Sequence, residues 1–295
     1  FVHWLRGDLA SVEAVGRQLL PLYSRHARPI GVGWVNFLLG LGYYERNQLD
    51  QARYHLEAVL AHRHEVNHMV LRGSVFALAR VDDLEGQSSA ADALLDSLTD
   101  LAWDTTNLVT LRLLAAFRAH RAAWHGKAAE ARRWLLEVRP TPEQGAMVLT
   151  EVPQLAQARV LVASGQRDDA REALTHLAHL EHLSVAFSNV PMRVAVSALS
   201  ALAYDRLGNK AAAEAWLEQA VRLGKPGGFT RNFLDLGPDI ARLLDRWTPR
   251  EELADYVGYL LRQFAVSPSL HVATDRAMLH QRAQGEFLAV DVLGG

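Results

Sequence analysis

The chain has 295 residues, of which 49% are hydrophobic and 22% are charged, and its formal net charge is -2. This balance is typical of a folded protein and argues against nucleic-acid binding, which favours strongly basic surfaces. No cysteine is present, which excludes disulfides and thiolate metal sites and is compatible with the reducing cytoplasm. No apolar run approaches the roughly 20 residues that a membrane span needs. We therefore expect a protein that contacts neither nucleic acid nor a membrane.

The chain begins inside a repeated pattern. Residues 1–9, FVHWLRGDL, read as the middle of a helix pair, and we expect the sequence to be a piece of a longer protein. Five turn residues follow at successive spacings of 39, 40, 39 and 43 positions: Asn47, Gly86, Gly126, Gly165 and Gly208. Alanine stands five positions after each turn residue, leucine nine positions after, and Gly or Ala seven positions before. Gly7, 40 positions before Asn47, marks a truncated first copy.

This pattern predicts helical hairpins. Gly or Asn can adopt the left-handed conformation that ends a helix, and small residues let two helices approach closely. One hairpin cannot bury its apolar face, whereas stacked copies can. The small, turn, Ala and Leu positions resemble the tetratricopeptide repeat (TPR), with a longer unit. We predict an all-α fold in which residues 1–228 form TPR-like hairpins, with a period of about 40 residues, arranged as a right-handed superhelix.

A different pattern follows the repeats. Pro226–Gly228 is a helix stop, after which apolar residues return at helical spacing. Because solenoids need an atypical end, we predict capping helices over residues 229–266. Arg231 and Asp235 stand four positions apart, and we expect them to pair and hold this cap. The mixed composition of residues 267–295 predicts a linker toward a further domain.

The stretch EAWLEQAVRLGKPGGFTRNFLDLGPDIARLLDRW resembles the end of the TPR-like sensor region in the large ATP-binding LuxR-family (MalT-like) bacterial transcriptional regulators. In that family a Pro-Gly-Gly-Phe-like turn precedes an Arg and a Phe-Leu-Asp-Glu-Gly segment. This chain carries the pattern at Pro226, Gly227, Gly228, Phe229, Arg231, Phe233, Leu234, Asp235 and Gly237. It departs at Leu236, where the family usually has Glu. The resemblance covers about residues 35–265.

The resemblance implies the cytoplasmic, non-catalytic sensor region of a transcriptional activator. Such regions bind a small-molecule inducer or a regulatory protein and help to control self-association. The family places an ATP-binding domain before the repeats and a helix-turn-helix domain after them. This sequence contains neither a GxxxxGK[ST] phosphate loop nor a basic recognition helix, so we expect no cofactor and no nucleic-acid contact from it. A generic TPR scaffold that binds a protein partner is the alternative.

A remote alternative is a metal-binding hydrolase. Residues 64–68, HEVNH, match the HExxH signature, in which one helix places two His beside zinc and Glu acts as the base. In register with the repeats, however, the motif falls in the connection between two hairpins, and the sequence marks no third ligand. We interpret it as a polar loop and expect no metal site; the candidate ligands are His64 and His68.

The concave face of a superhelix is its natural ligand site. In TPR-like register it is lined by the first helix of each hairpin, where aromatic rings would stack on a flat ligand. Charged residues among apolar neighbours suit a polar small molecule. The predicted site consists of Trp34, Phe37, Tyr44, Phe76, Arg80, Asp83, His120, Arg159 and Asp205. For each residue the alternative is structural, namely packing between helices for the aromatics and a solvated surface for the charges.

Overall fold

The computed structural model describes residues 1–26, 28–138 and 152–266, and this part of the chain forms fifteen α-helices without a β-strand. The predicted all-α fold of TPR-like repeats is confirmed. The predicted linker at residues 267–295 lies outside the described residues.

Twelve of these helices form six consecutive hairpins. The paired helices are α1 (Val2–Leu5) and α2 (Leu9–Arg25), α3 (Pro29–Glu45) and α4 (Leu49–Leu60), α5 (His68–Leu84) and α6 (Ser88–Asp104), α7 (Leu108–Trp124) and α8 (Ala128–Glu137), α9 (Pro153–Ala163) and α10 (Arg167–Ala186), α11 (Val190–Arg206) and α12 (Lys210–Gly224). Each second helix also packs against the first helix of the next hairpin. First helices contact one another as well, α3 with α5, α7 with α9 and α9 with α11, so they form one layer.

The predicted turn residues all adopt the left-handed conformation. Their φ angles lie between 61° and 77°, at Gly7, Asn47, Gly86, Gly126, Gly165 and Gly208. This conformation stops the first helix of a hairpin and points the chain back along it. The sequence therefore located the bend of every hairpin.

Small residues allow the two helices of a hairpin to pack closely. The alanines five positions after each turn are fully buried: Ala52, Ala91, Ala131, Ala170 and Ala213. On the facing helix, a Cβ added at Gly40 would lie 2.7 Å from the Leu56 side chain, so a larger residue there would force Leu56 to shift. The predicted leucines are fully buried in most units but only partly in α8 and α10, where Leu135 and Leu174 share the groove with other side chains.

Three further helices form the cap: α13 (Arg231–Leu234), α14 (Pro238–Arg246) and α15 (Glu251–Val266). α15 packs against α12, and both α13 and α14 pack against α11. On its other side α13 contacts α3, and α1 contacts α11. The array therefore curves back until its last elements meet its first two hairpins. The right-handed sense of that curvature stays a prediction.

Substituting Ala for Gly208 tests the turn geometry. A Cβ at Gly208 meets nothing within 4 Å, so the change acts only through its φ of +77°. We expect a loss of about 1–2 kcal/mol in the free energy of unfolding, measured by urea denaturation. The control is Gly258→Ala inside α15, where φ is ordinary and the nearest contact is 3.5 Å away, so we expect a gain of about 0.5–1 kcal/mol. Equal effects of the two substitutions would contradict the assignment of the turn.

Candidate functional site

The end of α3 meets the start of the cap in what we call the closing contact, formed by Tyr44, Glu45, Asn47, Thr230, Arg231, Asn232 and Asp235. The backbone N–H of Thr230 donates to the carbonyl oxygen of Glu45 at 2.6 Å. The Asn232 side chain donates to the Glu45 carboxylate at 2.7 Å. The Tyr44 hydroxyl donates to Asp235 at 2.7 Å, between residues 191 positions apart. These bonds join the second hairpin directly to the cap.

Arg231 is the buried charge of the closing contact, with only 1% of its surface exposed. Its guanidinium pairs with Asp235 and donates to the side chain of Asn47 at 3.2 Å. The guanidinium carbon lies 5.8 Å from the centre of the Tyr44 ring. A charge at this depth is tolerated because it is paired and hydrogen-bonded. The predicted pair of Arg231 with Asp235 is confirmed.

Glu45 is a carboxyl group whose charge changes near neutral pH. Burial and the nearby charge of Asp235 raise its pKa from 4.5 to about 7, against the opposing effects of the Arg80 guanidinium and the Asn232 hydrogen bond. Burial also raises the pKa of Tyr44, so its hydroxyl stays protonated and remains a donor.

Three neighbouring cavities follow the inner face of the array and share lining residues. One of about 30 Å³ lies beside the closing contact. A second of about 60 Å³ is bordered by α1, α3, α9 and α11. The third measures about 370 Å³ and lies between α7, α9, α11 and α14. We call it the cap cavity; its charged and imidazole side chains are His120, Arg159, Arg206, Asp235, Asp239 and Arg242.

Aromatic rings support the basic groups on the inner face. The Arg80 guanidinium lies 5.3 Å from the centre of the Phe117 ring and 5.5 Å from that of Trp124, within the range of cation–π attraction. The His120 ring packs on Trp124 with centroids 4.3 Å apart. Arg159 Nη1 lies 3.3 Å from His120 Nδ1. Three hairpins thus bring one basic side chain each to a common region.

The structure brings four of the predicted site residues together. Tyr44, Arg80, His120 and Arg159 all line the 30 Å³ cavity. The last three each stand six positions before the turn of their own hairpin, so the repeat itself places them on one face. Whether they bind a ligand stays a prediction.

The predicted stacking role does not fit the other aromatics. Phe37 and Phe76 have no exposed surface, and Phe76 stacks on Phe117 with centroids 4.5 Å apart. Trp34 makes edge contacts with Phe1 and Phe37 and does not line the inner cavities. Their positions, ten or more residues before the turn, face the neighbouring hairpin, so packing between helices accounts for them.

Two predicted acids serve in ion pairs away from the inner cavities. Asp83 accepts from Arg121 at 2.6 Å and lies 3.3 Å from His125 Nε2. Burial favours protonation of Asp83, but the bonds from His125 and Arg121 prevail and hold its pKa below the ordinary value. Asp205 pairs with Arg246 of α14, which joins the last hairpin to the cap. Both positions are better explained by structure than by binding.

Sequence reasoning missed the residues that the cap contributes. Asn232 reaches the inner face from α13, and Asp239 and Arg242 reach the cap cavity from α14. Arg206, at the end of α11, also lines this cavity. One local signal was available, since the spacing of Asp239 and Arg242 places both on one face of α14. Nothing local showed that this face turns toward the repeats.

The HExxH segment does not form the geometry that zinc enzymes use. His64 lies in the connection after α4, whereas His68 is the first residue of α5. The side chain of Asn67 caps α5 by accepting from the backbone N–H of Met69 at 2.8 Å. The two imidazoles therefore do not share a helical face. Within residues 1–26, 28–138 and 152–266, no group of three or more His, Asp or Glu side chains is arranged to hold a metal ion.

Stacked helical hairpins with a buried inner layer and a capping end define a TPR-type repeat protein. A family model described as the MalT-like TPR region matches residues 2–250, and the chain belongs to that family. Helical repeat regions of this type are generally non-catalytic. A comparison with curated proteins found no match. Among the helices that the structure describes, none is long and apolar enough to cross a membrane.

Replacing Arg231 with Met tests the closing contact. Removing one partner of a buried ion pair leaves Asp235 as an uncompensated charge, so we expect a loss of about 3–5 kcal/mol in unfolding free energy. The control is Arg222→Met, a half-exposed partner of Glu218, for which we expect a change below about 1 kcal/mol. Adding Asp235→Asn to Arg231→Met should recover part of the loss, because no charge is then buried. Denaturant unfolding measures all three, and similar losses for Arg231 and Arg222 would refute the assignment.

Replacing Glu45 with Gln tests the titration of the closing contact. Because the folded pKa is raised from 4.5 to about 7, the folded wild type keeps a proton that the unfolded chain releases. The unfolding free energy of the wild type should therefore fall as pH rises between these values and level off above. The stability of the variant relative to the wild type should rise across the same window. Denaturant unfolding at several pH values measures it, with Glu57→Gln at an exposed position as the baseline. A pH-independent difference would rule out this titration.

Proposed function

We propose that this chain is the effector-sensing and protein-interaction region of a cytoplasmic bacterial transcriptional activator, and that it is non-catalytic. The effector is a small-molecule inducer that binds along the inner face. The single observation that carries the proposal is the cap cavity on this face, where a ligand would touch His120 and Arg159 from two hairpins and Asp235 from the cap, with Arg80 in the adjoining cavity. Membership of the MalT-like TPR family supports the regulatory role.

The size and lining of the cap cavity support a small molecule. Small-molecule sites commonly measure about 300–1,000 Å³ and combine apolar walls with a few polar groups. The cap cavity measures about 370 Å³, and its apolar lining includes Val162, Leu199, Leu202 and Leu236. An open groove for a peptide would not be closed at one side by a capping helix.

The site is also joined to the closing contact. Asp235 lines the cap cavity and at the same time bonds to Tyr44 and Arg231. A ligand that contacts Asp235 or its neighbour Leu236 therefore changes the environment of the residues that hold the two ends of the array together. A ligand that binds one arrangement of the ends better than another shifts the population toward it. We propose that self-association of the activator responds to this shift.

The second candidate function is a TPR scaffold for a regulatory protein. Exposed large apolar side chains favour it, since these mark interaction surfaces when they lie together. Trp103, Leu108 and Val109, near the connection between α6 and α7, are 64%, 55% and 43% exposed. None of the three lines the inner cavities, so a partner protein and a small effector are compatible with each other.

Arg80→Ala and Arg159→Ala test the effector site. Each removes a guanidinium from the inner face, and we expect about 10-fold or greater weakening of effector binding, because hydrogen bonds to charged groups are worth about 1.5–3 kcal/mol. Thermal-shift screening of a metabolite library of sugars, amino acids, nucleotides and organic acids identifies binders, and calorimetry measures their affinity.

The control is Arg132→Ala on α8, whose side chain is 63% exposed and pairs with Asp169 outside the inner cavities. Its effector affinity should equal that of the wild type. If both inner variants keep full affinity for every binder while remaining folded by circular dichroism, the inner face is not the effector site.

A further inference from the structure

The lining of the cap cavity includes charged side chains of both signs. Arg159, Arg206 and Arg242 face Asp235 and Asp239 among the described residues of its lining. Asp235 already pairs with the buried Arg231 behind it, which adds a further positive charge next to the cavity.

Asp239 is shared by two arginines from different elements. Arg206 at the end of α11 and Arg242 of α14 both donate to this one carboxylate. Their side chains are 33% and 65% exposed, so they can reorient toward a ligand without leaving a packed core. The amino end of α14, where the helix dipole is positive, borders the same cavity through Pro238 and Asp239.

Apolar side chains make up another part of the lining of the cap cavity. Val162 of α9, Leu199 and Leu202 of α11, and Leu236 of the cap line it. Trp124 of α7 contributes an aromatic surface that is mostly covered by its neighbours. A ligand that fills the space therefore meets both the charged side chains beside α14 and the apolar side chains of α9 and α11.

We infer that the effector is a small organic anion whose carboxylate or phosphate group binds between Arg206 and Arg242 of the cap cavity, with its apolar body against Leu199 and Leu202. This inference rests on the proposed effector site and names the chemical class that the site takes. A bound anion supplies the negative charge that Asp239 alone cannot, and two guanidinium groups suit the paired oxygens of either acid. A cation would be repelled by these two guanidinium groups, and a neutral ligand would leave them to share the single charge of Asp239.

Glu45 supports the same choice. With its pKa raised to about 7 by burial and by Asp235, it is only partly ionised at neutral pH. It therefore adds less than one negative charge to the inner face.

The test uses three probes of one shape: 2-naphthoate, 2-naphthyl phosphate and the neutral 2-naphthamide. Calorimetry and thermal shift on the full chain should show binding of at least one anion and at least 10-fold weaker binding of the amide. The stronger of the two anions identifies whether a carboxylate or a phosphate is preferred. Arg206→Gln and Arg242→Gln should each weaken the preferred anion by about 10-fold or more, as loss of a charged hydrogen bond predicts.

Two matched variants serve as controls, one expected to tighten anion binding and the other to leave it unchanged. Asp239→Asn removes the competing carboxylate and should tighten anion binding several-fold, which a merely structural role of Asp239 would not do. Arg246→Gln lies on the same helix but pairs with Asp205 outside the cavity lining, and it should leave anion binding unchanged.

The inference is overturned if neither anion binds more tightly than the amide, whether all three probes bind or none does. It is also overturned if the Arg206 and Arg242 variants bind the preferred anion as the wild type does. The proposed effector site is judged separately, by the library screen with Arg80→Ala and Arg159→Ala. If a neutral compound binds the wild type but not those variants, the proposed effector site stands and only the anionic class of the effector is refuted.

Discussion

The architecture of this protein depends on one buried ion pair, Arg231 with Asp235, at the meeting of α3 and the cap. Buried ion pairs add little net stability but demand strict geometry, since a misplaced partner leaves a charge without water. Arg231 also donates to Asn47, Tyr44 donates to Asp235, and the backbone of Thr230 donates to that of Glu45 beside them. The two ends of the repeat array are therefore joined by specific polar contacts in addition to apolar packing.

The inner face owes its character to this closure. In an open array, Arg80, His120 and Arg159 would line a solvated groove, and their charges would be screened by water. The cap covers them, adds Asp235, Asp239 and Arg242, and converts the groove into cavities. The closing contact and the cap cavity share Asp235. The proposed sensing function uses this link between the place where a ligand would bind and the element that joins the two ends.

The hairpins were predictable because their determinants are local. A left-handed turn residue, an alanine five positions later and a leucine nine positions later are properties of one segment, and the repeat shows them several times. The same regularity placed Arg80, His120 and Arg159 on one face, six positions before their turns. The repeat pattern did not distinguish this inner face from the face that packs against the neighbouring hairpin. Phe37 and Phe76 were therefore predicted to line a groove, although they lie in the core. The cap residues of the site depend on a contact across almost the whole array, which no local pattern reveals.

The absence of cysteine from the chain allows a direct measurement of closure. A Cβ at Gly228 would lie 4.0 Å from Arg46 Cγ, so side chains at these two positions meet across the closure. The double variant Arg46→Cys, Gly228→Cys should form a disulfide within one chain under mild oxidation, seen by gel mobility and mass spectrometry and reversed by reductant, whereas each single variant should form none. Failure of the folded double variant to cross-link, or cross-linking only between chains, would contradict a closed array.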